Sequence, residues 1–332
     1  MDTRKVLEMG GGTVIISLPK DWARKNGIVR GSTVAVEEIS ARRLLVRPIE
    51  GGETAKEAEE VVIEYPRENL SYVTNDVTGA YLMGSNAIRI EGKQFITRED
   101  RSGLKSAITK LVGLEIVAED AKGMTMQFLL DPAALGPEKI VRRMASLIGG
   151  MLRDSGEGLR HDRNLLALVG ERDDEVDRLY FLLVRTIRTA TIDPEVAERY
   201  RLAPIECLDY RVLASYLEGL GDSITEFSKR AGEETLGKEV TMELVQFLES
   251  LEKMGDVATS SFLTRRLVQG RRTYIEVEGM RDRVGELSKR MVKMKGISTG
   301  AMLDLLSLLE RIASTFVDIS DLALPTYQFK PD

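Results

Sequence analysis

Helical periodicity governs the last 196 residues of this 332-residue chain. From Pro137 onward, apolar residues recur every three or four positions, which is the period of an amphipathic α-helix. Antiparallel helices joined by short connections pack as bundles. The sequence therefore predicts an all-α domain over about 137–325, with long helices over about 137–154, 160–190, 205–232, 241–268, 271–295 and 299–322.

The helical region repeats itself. The segment around Asp177 matches the one around Asp282, 105 residues later, and the segment around Glu218 matches the one around Glu310, 92 residues later. The unequal offsets predict an insertion in the first half, within 191–209. Two tandem three-helix bundles are expected, over about 137–232 and 241–322.

Acidic residues recur four positions apart in these repeats. Side chains at i and i+4 share one helix face, so two carboxylates can approach one cation, and oxygen ligands suit hard divalent ions or iron. One Cys and one His exclude a disulfide framework and Cys- or His-rich metal sites. Acidic pairs are also common on solvated faces, so both interpretations stay open, and the metal's identity is unknown. The candidate metal ligands are Asp173, Asp177, Glu218, Asp222, Glu278, Asp282 and Glu310, with Ser314 in place of an eighth carboxylate.

Residues 60–133 alternate between strand and helix patterns. The order strand, helix, strand, helix, strand, strand predicts a small α/β domain, with a turn at Lys122-Gly123 between the last two strands. No motif assigns this middle domain a role.

The formal net charge of −6 is unevenly distributed. Residues 1–50 carry nine Lys or Arg and six Asp or Glu, so this β-patterned segment is at +3 and the rest of the chain is at −9. Basic residues neutralise phosphates, which makes the segment a candidate nucleic-acid interface. The chain has no run of 18 apolar residues and no signal-peptide core, so we expect a cytoplasmic protein without membrane insertion.

The first 50 residues contain a series of short motifs. They are Arg4-Lys5-Val6, a Gly10–Gly12 turn, Val14-Ile15-Ile16-Ser17-Leu18-Pro19-Lys20, Trp22, Asn26-Gly27-Ile28, Gly31-Ser32 and Leu44-Leu45-Val46. This pattern resembles an AbrB/SpoVT-type domain. The resemblance implies a swapped-hairpin β fold, a homodimer formed through this domain, and DNA binding by basic residues. Ala23 departs from the family's first helix Arg, and Lys20 and Lys25 lie nearby. The candidate DNA-binding residues are Arg4, Lys5, Lys20, Arg24 and Lys25.

The C-terminal 190 residues resemble the PhoU family of phosphate-uptake regulators. The resemblance rests on Asp173-Asp-Glu-Val-Asp177-Arg-Leu, Leu217-Glu-Gly-Leu-Gly-Asp222 and Leu309-Glu-Arg-Ile-Ala313. It implies tandem three-helix bundles with multinuclear metal clusters at E/D-xxx-D motifs. The Glu310/Ser314 pair departs from that pattern. An AbrB-type head on a PhoU-type body resembles archaeal PhoU-like regulators.

These features predict a DNA-binding transcriptional regulator of phosphate uptake that senses a metal or a partner. The alternative is a signalling adaptor that binds phosphate-transporter components or a kinase, with the head serving only for dimerisation. A third hypothesis is an antitoxin-like, protein-binding head. We expect no enzyme, because no nucleophile is paired with a base, and a metal-dependent hydrolase on the carboxylates is the weakest alternative.

Overall fold

The computed structural model describes residues 3–9, 13–40, 43–48, 60–66, 69–130, 135–264, 267–293 and 297–323. The described residues divide into two compact units, one within 3–48 and the other within 60–323. A small β-rich N-terminal region, a middle α/β sheet and a long helical region confirm the expected multidomain fold class. The Gly10–Gly12 turn lies outside the described residues.

The N-terminal region consists of two antiparallel hairpins and one short helix. β-branched residues favour both hairpins, and Pro19 precedes the helix. Val6 pairs with Ile16 in the first hairpin, and Val36 pairs with Val46 in the second. The elements are β1 (Val6–Met9), β2 (Thr13–Ile16), α1 (Lys20–Lys25), β3 (Val34–Ser40) and β4 (Arg43–Pro48).

The middle region is a four-stranded sheet of order β5-β6-β8-β7 with two helices. β5 and β6 are parallel, whereas β8 runs antiparallel to both β6 and β7. The Asn69 side chain caps the first helix at the Ser71 amide, and Thr97 caps the second at the Asp100 amide. The elements are β5 (Val61–Tyr65), α2 (Leu70–Leu82), β6 (Ala87–Gly92), α3 (Arg98–Thr109), β7 (Leu114–Glu119) and β8 (Gly123–Phe128).

Within its described residues, the helical region contains the six expected long helices and one short additional helix, which lies in the expected insertion. The expected boundary between the first two helices is wrong, because the first helix continues past 154 to Arg160 and the second begins at Asn164 rather than at about 160. Its small residues allow close packing: the Ser155 and Ser228 hydroxyls lie 2.7 Å apart in the core. The helices are α4 (Pro137–Arg160), α5 (Asn164–Ile192), α6 (Pro194–Tyr200), α7 (Pro204–Glu233), α8 (Lys238–Thr264), α9 (Leu267–Met291) and α10 (Thr299–Asp321).

Arg185 of α5 joins the helical region to the middle sheet. Its side chain is buried and donates to the carbonyls that end α2, at 2.7 Å to Tyr81 and 2.9 Å to Ser85, and to the Asn86 side chain at 2.8 Å. The guanidinium also lies 3.9 Å from the centre of the Phe128 ring. A cation at a helix C-terminus satisfies free carbonyls and complements the helix dipole. This contact fixes the middle domain against α5, the helix that carries Asp173 and Asp177.

Candidate functional site

Four predicted ligands of the first repeat form one acidic cluster between α5 and α7. Asp173 and Asp177 lie one turn apart on α5, and Glu218 and Asp222 lie one turn apart on α7. Burial, and then the charges of Asp177 and Asp222, together raise the pKa of Asp173 to about 6. Burial, then the Asp222 charge, raises the pKa of Asp177. The pKa of Glu218 is raised by burial and then by Asp222 and Asp177. The fold therefore holds like charges together in a half-buried site.

A close helix approach leaves one oxygen of this cluster unsatisfied. Within the described part of the chain, the buried Asp173 Oδ1 has no hydrogen-bond partner of normal geometry, although the nearby Thr225 hydroxyl acts to lower the Asp173 pKa. A Cβ at Gly221 of α7 would lie only 2.4 Å from this oxygen, so the glycine permits the approach. A buried carboxylate oxygen without a donor is suited to bind a cation. A cation would supply the missing contact and would also offset the repulsion between the neighbouring carboxylates.

The arrangement of possible metal ligands was compared with that needed to coordinate an ion. Among the described residues, no group of three or more His, Cys, Asp or Glu side chains is arranged to hold a metal ion. The acidic cluster supplies oxygen donors and an unsatisfied oxygen, so its chemistry fits a hard cation. Metal binding itself stays a prediction.

The second repeat does not reproduce this environment. The side chain of Asp282 is 73% exposed, with Arg281 3.9 Å away, and Glu310 and Ser314 are also exposed. Glu278 is partly exposed on α9. A carboxylate that the repeat did not single out, Asp318 of α10, has a pKa raised by burial and then by Asp321.

The predicted DNA-binding residues all lie on the N-terminal region and are exposed. Lys20, Arg24 and Lys25 belong to α1, whereas Arg4 and Lys5 precede β1. Arg24 lies 3.7 Å from the exposed Asp21, a contact of small energetic value. Lys20 and Arg24 are four residues apart and so share one face of this short helix.

Comparison with known families matches two separate parts of the chain. Residues 141–231 match the PhoU domain model. The chain carries a PhoU domain. Residues 9–54 match the model for antidote-toxin recognition MazE, bacterial antitoxin, so the N-terminal region is a MazE/AbrB-like domain.

The PhoU match spans the first three-helix repeat, including Asp173, Asp177, Glu218 and Asp222. A crystal structure of PhoU from Pseudomonas aeruginosa is 19% identical, covers 56% of this chain and 93% of that chain, and gives a TM-score of 0.47. No curated protein matches the chain. Within the described residues, no helix is long and apolar enough to cross a membrane.

Sequence reasoning missed two features beside the PhoU domain. Arg185 lacked a local signal, because its partners are about 100 residues away in the chain. The second is a cleft of about 540 Å³ between α3, β7 and Arg178 of α5. The edge position of β7 follows from strand order, which the strand pattern alone did not give.

Proposed function

We propose that the protein is a cytoplasmic, homodimeric, DNA-binding transcriptional regulator of phosphate uptake. The observation that carries this proposal is the union, in one chain, of a MazE/AbrB-like domain over 9–54 and a PhoU domain over 141–231. The proposed role is regulatory rather than catalytic. The PhoU domain would sense a metal or a protein partner, with phosphate-transporter components as the candidate partners.

Charge supports DNA contact at the N-terminal domain. The first 50 residues are at +3 and the remainder is at −9, so the body would repel a phosphate backbone and confine contact to the head. A homodimer would double the basic surface and present it with two-fold symmetry, which suits a pseudo-palindromic site.

Exposed apolar side chains support dimerisation through the same domain. Val14, Val36 and Leu44 are 67%, 60% and 66% exposed in the single chain. Strand faces of this kind gain stability when a second copy covers them, and a β domain of 50 residues buries little surface alone.

In the sensing domain, Asp173, Asp177, Glu218 and Asp222 would hold a divalent or iron-type ion. Such an ion would offset the burial and the like-charge repulsion that raise the pKa values of Asp173, Asp177 and Glu218. Glu278, Asp282 and Glu310 stay predicted ligands of a second site.

Fluorescence anisotropy with the full-length protein tests the DNA proposal. The probes are a duplex from the gene's own upstream region and an unrelated duplex of the same length, each titrated across a salt series. Each lost phosphate contact reduces the magnitude of the negative slope of log K against log salt by about 0.9. A dimer carries Arg24 twice, so Arg24→Ala should reduce that magnitude by about 1.8. Lys253→Ala, an exposed cation on α8, is the matched control and should leave the slope unchanged. Unaltered binding in a variant with both Arg24→Ala and Lys25→Ala would show that the DNA surface lies elsewhere.

The exposed hairpins also favour the second hypothesis, a signalling adaptor whose head only dimerises. That hypothesis predicts a stable dimer with no DNA binding even at low salt, together with capture of purified transporter subunits. The antitoxin-like head predicts the same absence of DNA binding but requires a partner for the hairpins themselves.

A further inference from the structure

Three side chains on α5 connect the acidic cluster with the middle domain. Asp177, Phe181 and Arg185 are each four residues apart, so they lie along one side of the helix on successive turns. Phe181 packs against the hydrophobic core of the middle domain, and Arg185 is buried against the end of α2. Asp177 therefore lies at the margin of the α5 surface that the middle domain covers.

The turn between α3 and β7, residues 109–113, lies beside the same part of α5. Its residues on both sides of Lys110 line a cleft that also includes Arg178 of α5. Within the turn, the Val112 carbonyl accepts a hydrogen bond from the Tyr81 hydroxyl at 2.9 Å, which ties the turn to the end of α2. The fold therefore holds the backbone of Lys110 close to the helix that carries half of the acidic cluster.

Lys110 caps the C-terminus of α3 and brings a positive charge to this turn. Burial and the Asp222 charge raise the pKa of Asp177, whereas the Lys110 charge lowers it. Lys105, on the same helix, is instead paired with Glu119 at 2.9 Å. Because Lys110 is exposed, its side chain can leave the cluster without breaking a buried contact. Lys110 thus offsets part of the repulsion in the cluster and is free to move away.

We propose that Lys110 is a tethered counter-cation of the acidic cluster, and that a divalent ion entering the cluster competes with it. This inference rests on the metal-sensing part of the proposed function. Two cations that share one set of carboxylates repel each other, so an ion beside Asp177 would drive the Lys110 ammonium away. The displacement would act on the 109–113 turn, and would give the middle domain a way to respond to an ion bound in the PhoU domain.

Isothermal titration calorimetry of the full-length, metal-free protein with Mn²⁺ measures the competition. Loss of the tethered charge in Lys110→Gln should tighten Mn²⁺ binding by at least about threefold, and Lys110→Glu should tighten it further. Lys105→Gln is the matched control, because it removes a cation of the same helix that is paired with Glu119, and it should leave the affinity unchanged. Equal Mn²⁺ affinities of Lys110→Gln and the wild type would overturn the inference and leave metal sensing intact.

The reactivity of the Lys110 amine shows whether the ion displaces it. With a limiting amount of a lysine-acylating reagent, mass spectrometry should find faster modification of Lys110 when Mn²⁺ is bound. The modification rate of Lys105 should stay the same. A slower or unchanged rate at Lys110 in the Mn²⁺-bound protein would overturn the competition.

A double-mutant cycle in metal-free protein tests the pairing without any ion. Lys110→Gln should lower the urea midpoint of the wild type, and should lower it less when Asp177→Asn is already present, because the partner charge is then gone. Equal decreases in both backgrounds would overturn the pairing. If neither the wild type nor any variant binds Mn²⁺, the metal-sensing proposal is refuted and the competition with it, whereas the cycle still decides the pairing.

Discussion

The two halves of the helical region share one sequence repeat, but their carboxylates lie in different surroundings. Asp173 and Asp177 of the first half are partly buried beside α7, whereas Asp282 of the second half is 73% exposed. The repeat offset of 105 also relates Arg185 to Arg290. Arg185 is buried against the middle sheet, whereas the Arg290 side chain is 71% exposed and lies 3.8 Å from Glu243. The same residue pattern thus gives either a charged cluster or a solvated face, depending on what packs against the helix.

The largest difference between the halves should appear at this arginine pair. Arg185→Ala removes the guanidinium that donates to the carbonyls of Tyr81, Gly84 and Ser85, although the Tyr81 carbonyl keeps the Gly84 amide as a donor. This change should cost about 3 kcal/mol or more of unfolding free energy. Arg290→Ala removes only a loose exposed ion pair and should cost less than about 1 kcal/mol. Urea denaturation of both variants measures this difference. Equal losses would contradict the assignment of Arg185 as the junction between the two regions.

Metal addition should distinguish the halves next. If the first-half cluster binds Mn²⁺, the metal-free protein should gain about 2.7 kcal/mol at a concentration of 100 times Kd. A variant carrying Asp177→Asn and Glu218→Gln should lose this gain, whereas one carrying Asp282→Asn and Glu310→Gln should keep it. Thermal unfolding with and without Mn²⁺, beside total metal content of the purified protein, provides the measurement. If only the Asp282→Asn, Glu310→Gln variant lost the stabilisation by Mn²⁺, the ion would bind in the second half rather than in the first.

Packing between the helices gives the third contrast. A methyl group at Gly221 would lie 2.4 Å from Asp173 Oδ1, so Gly221→Ala should destabilise the protein by about 1–3 kcal/mol. At Gly279 of α9, an added Cβ meets nothing within 4 Å among the described residues, so Gly279→Ala should stabilise by up to about 1 kcal/mol through helix propensity. Denaturant midpoints check both signs, and a stabilising Gly221→Ala would refute the close approach.

The smallest expected effect is the pH dependence of Asp173. Its folded-state pKa of about 6 exceeds the ordinary 3.8, so the folded state holds this proton more tightly than the unfolded chain. The ionised side chain therefore costs stability as pH rises from about 4 to 6, and the cost persists above that window. Asp173→Asn should add about 1 kcal/mol at pH 7.5 in metal-free protein, after discounting for partial solvent exposure, and nothing at pH 3.

Asp282→Asn is the control for this titration, because its carboxylate is exposed. Denaturation at both pH values should show no comparable gain. If the difference in unfolding free energy between Asp173→Asn and the wild type is the same at both pH values, the raised pKa of Asp173 is contradicted.

The sequence alone determined the elements and their classes. The three- and four-residue period of apolar positions specifies helices because it makes one apolar face. The repeat around Asp177 and Asp282 located the paired acids and the insertion that contains α6. The β-branched runs and the charge reversal near residue 50 marked the head. Each of these signals lies within a short stretch of the chain, so the sequence alone is enough to detect it.

Only the tertiary structure decided which patterned residues meet. It brought Asp173 and Asp177 to Glu218 and Asp222 through the close approach at Gly221, left Asp282 in solvent, and placed Arg178 beside the open edge of β7. These outcomes depend on burial and on contacts between distant segments. Periodicity specifies which side of a helix is polar, but the packing of neighbouring elements sets the dielectric environment and the partners of the charges on that side.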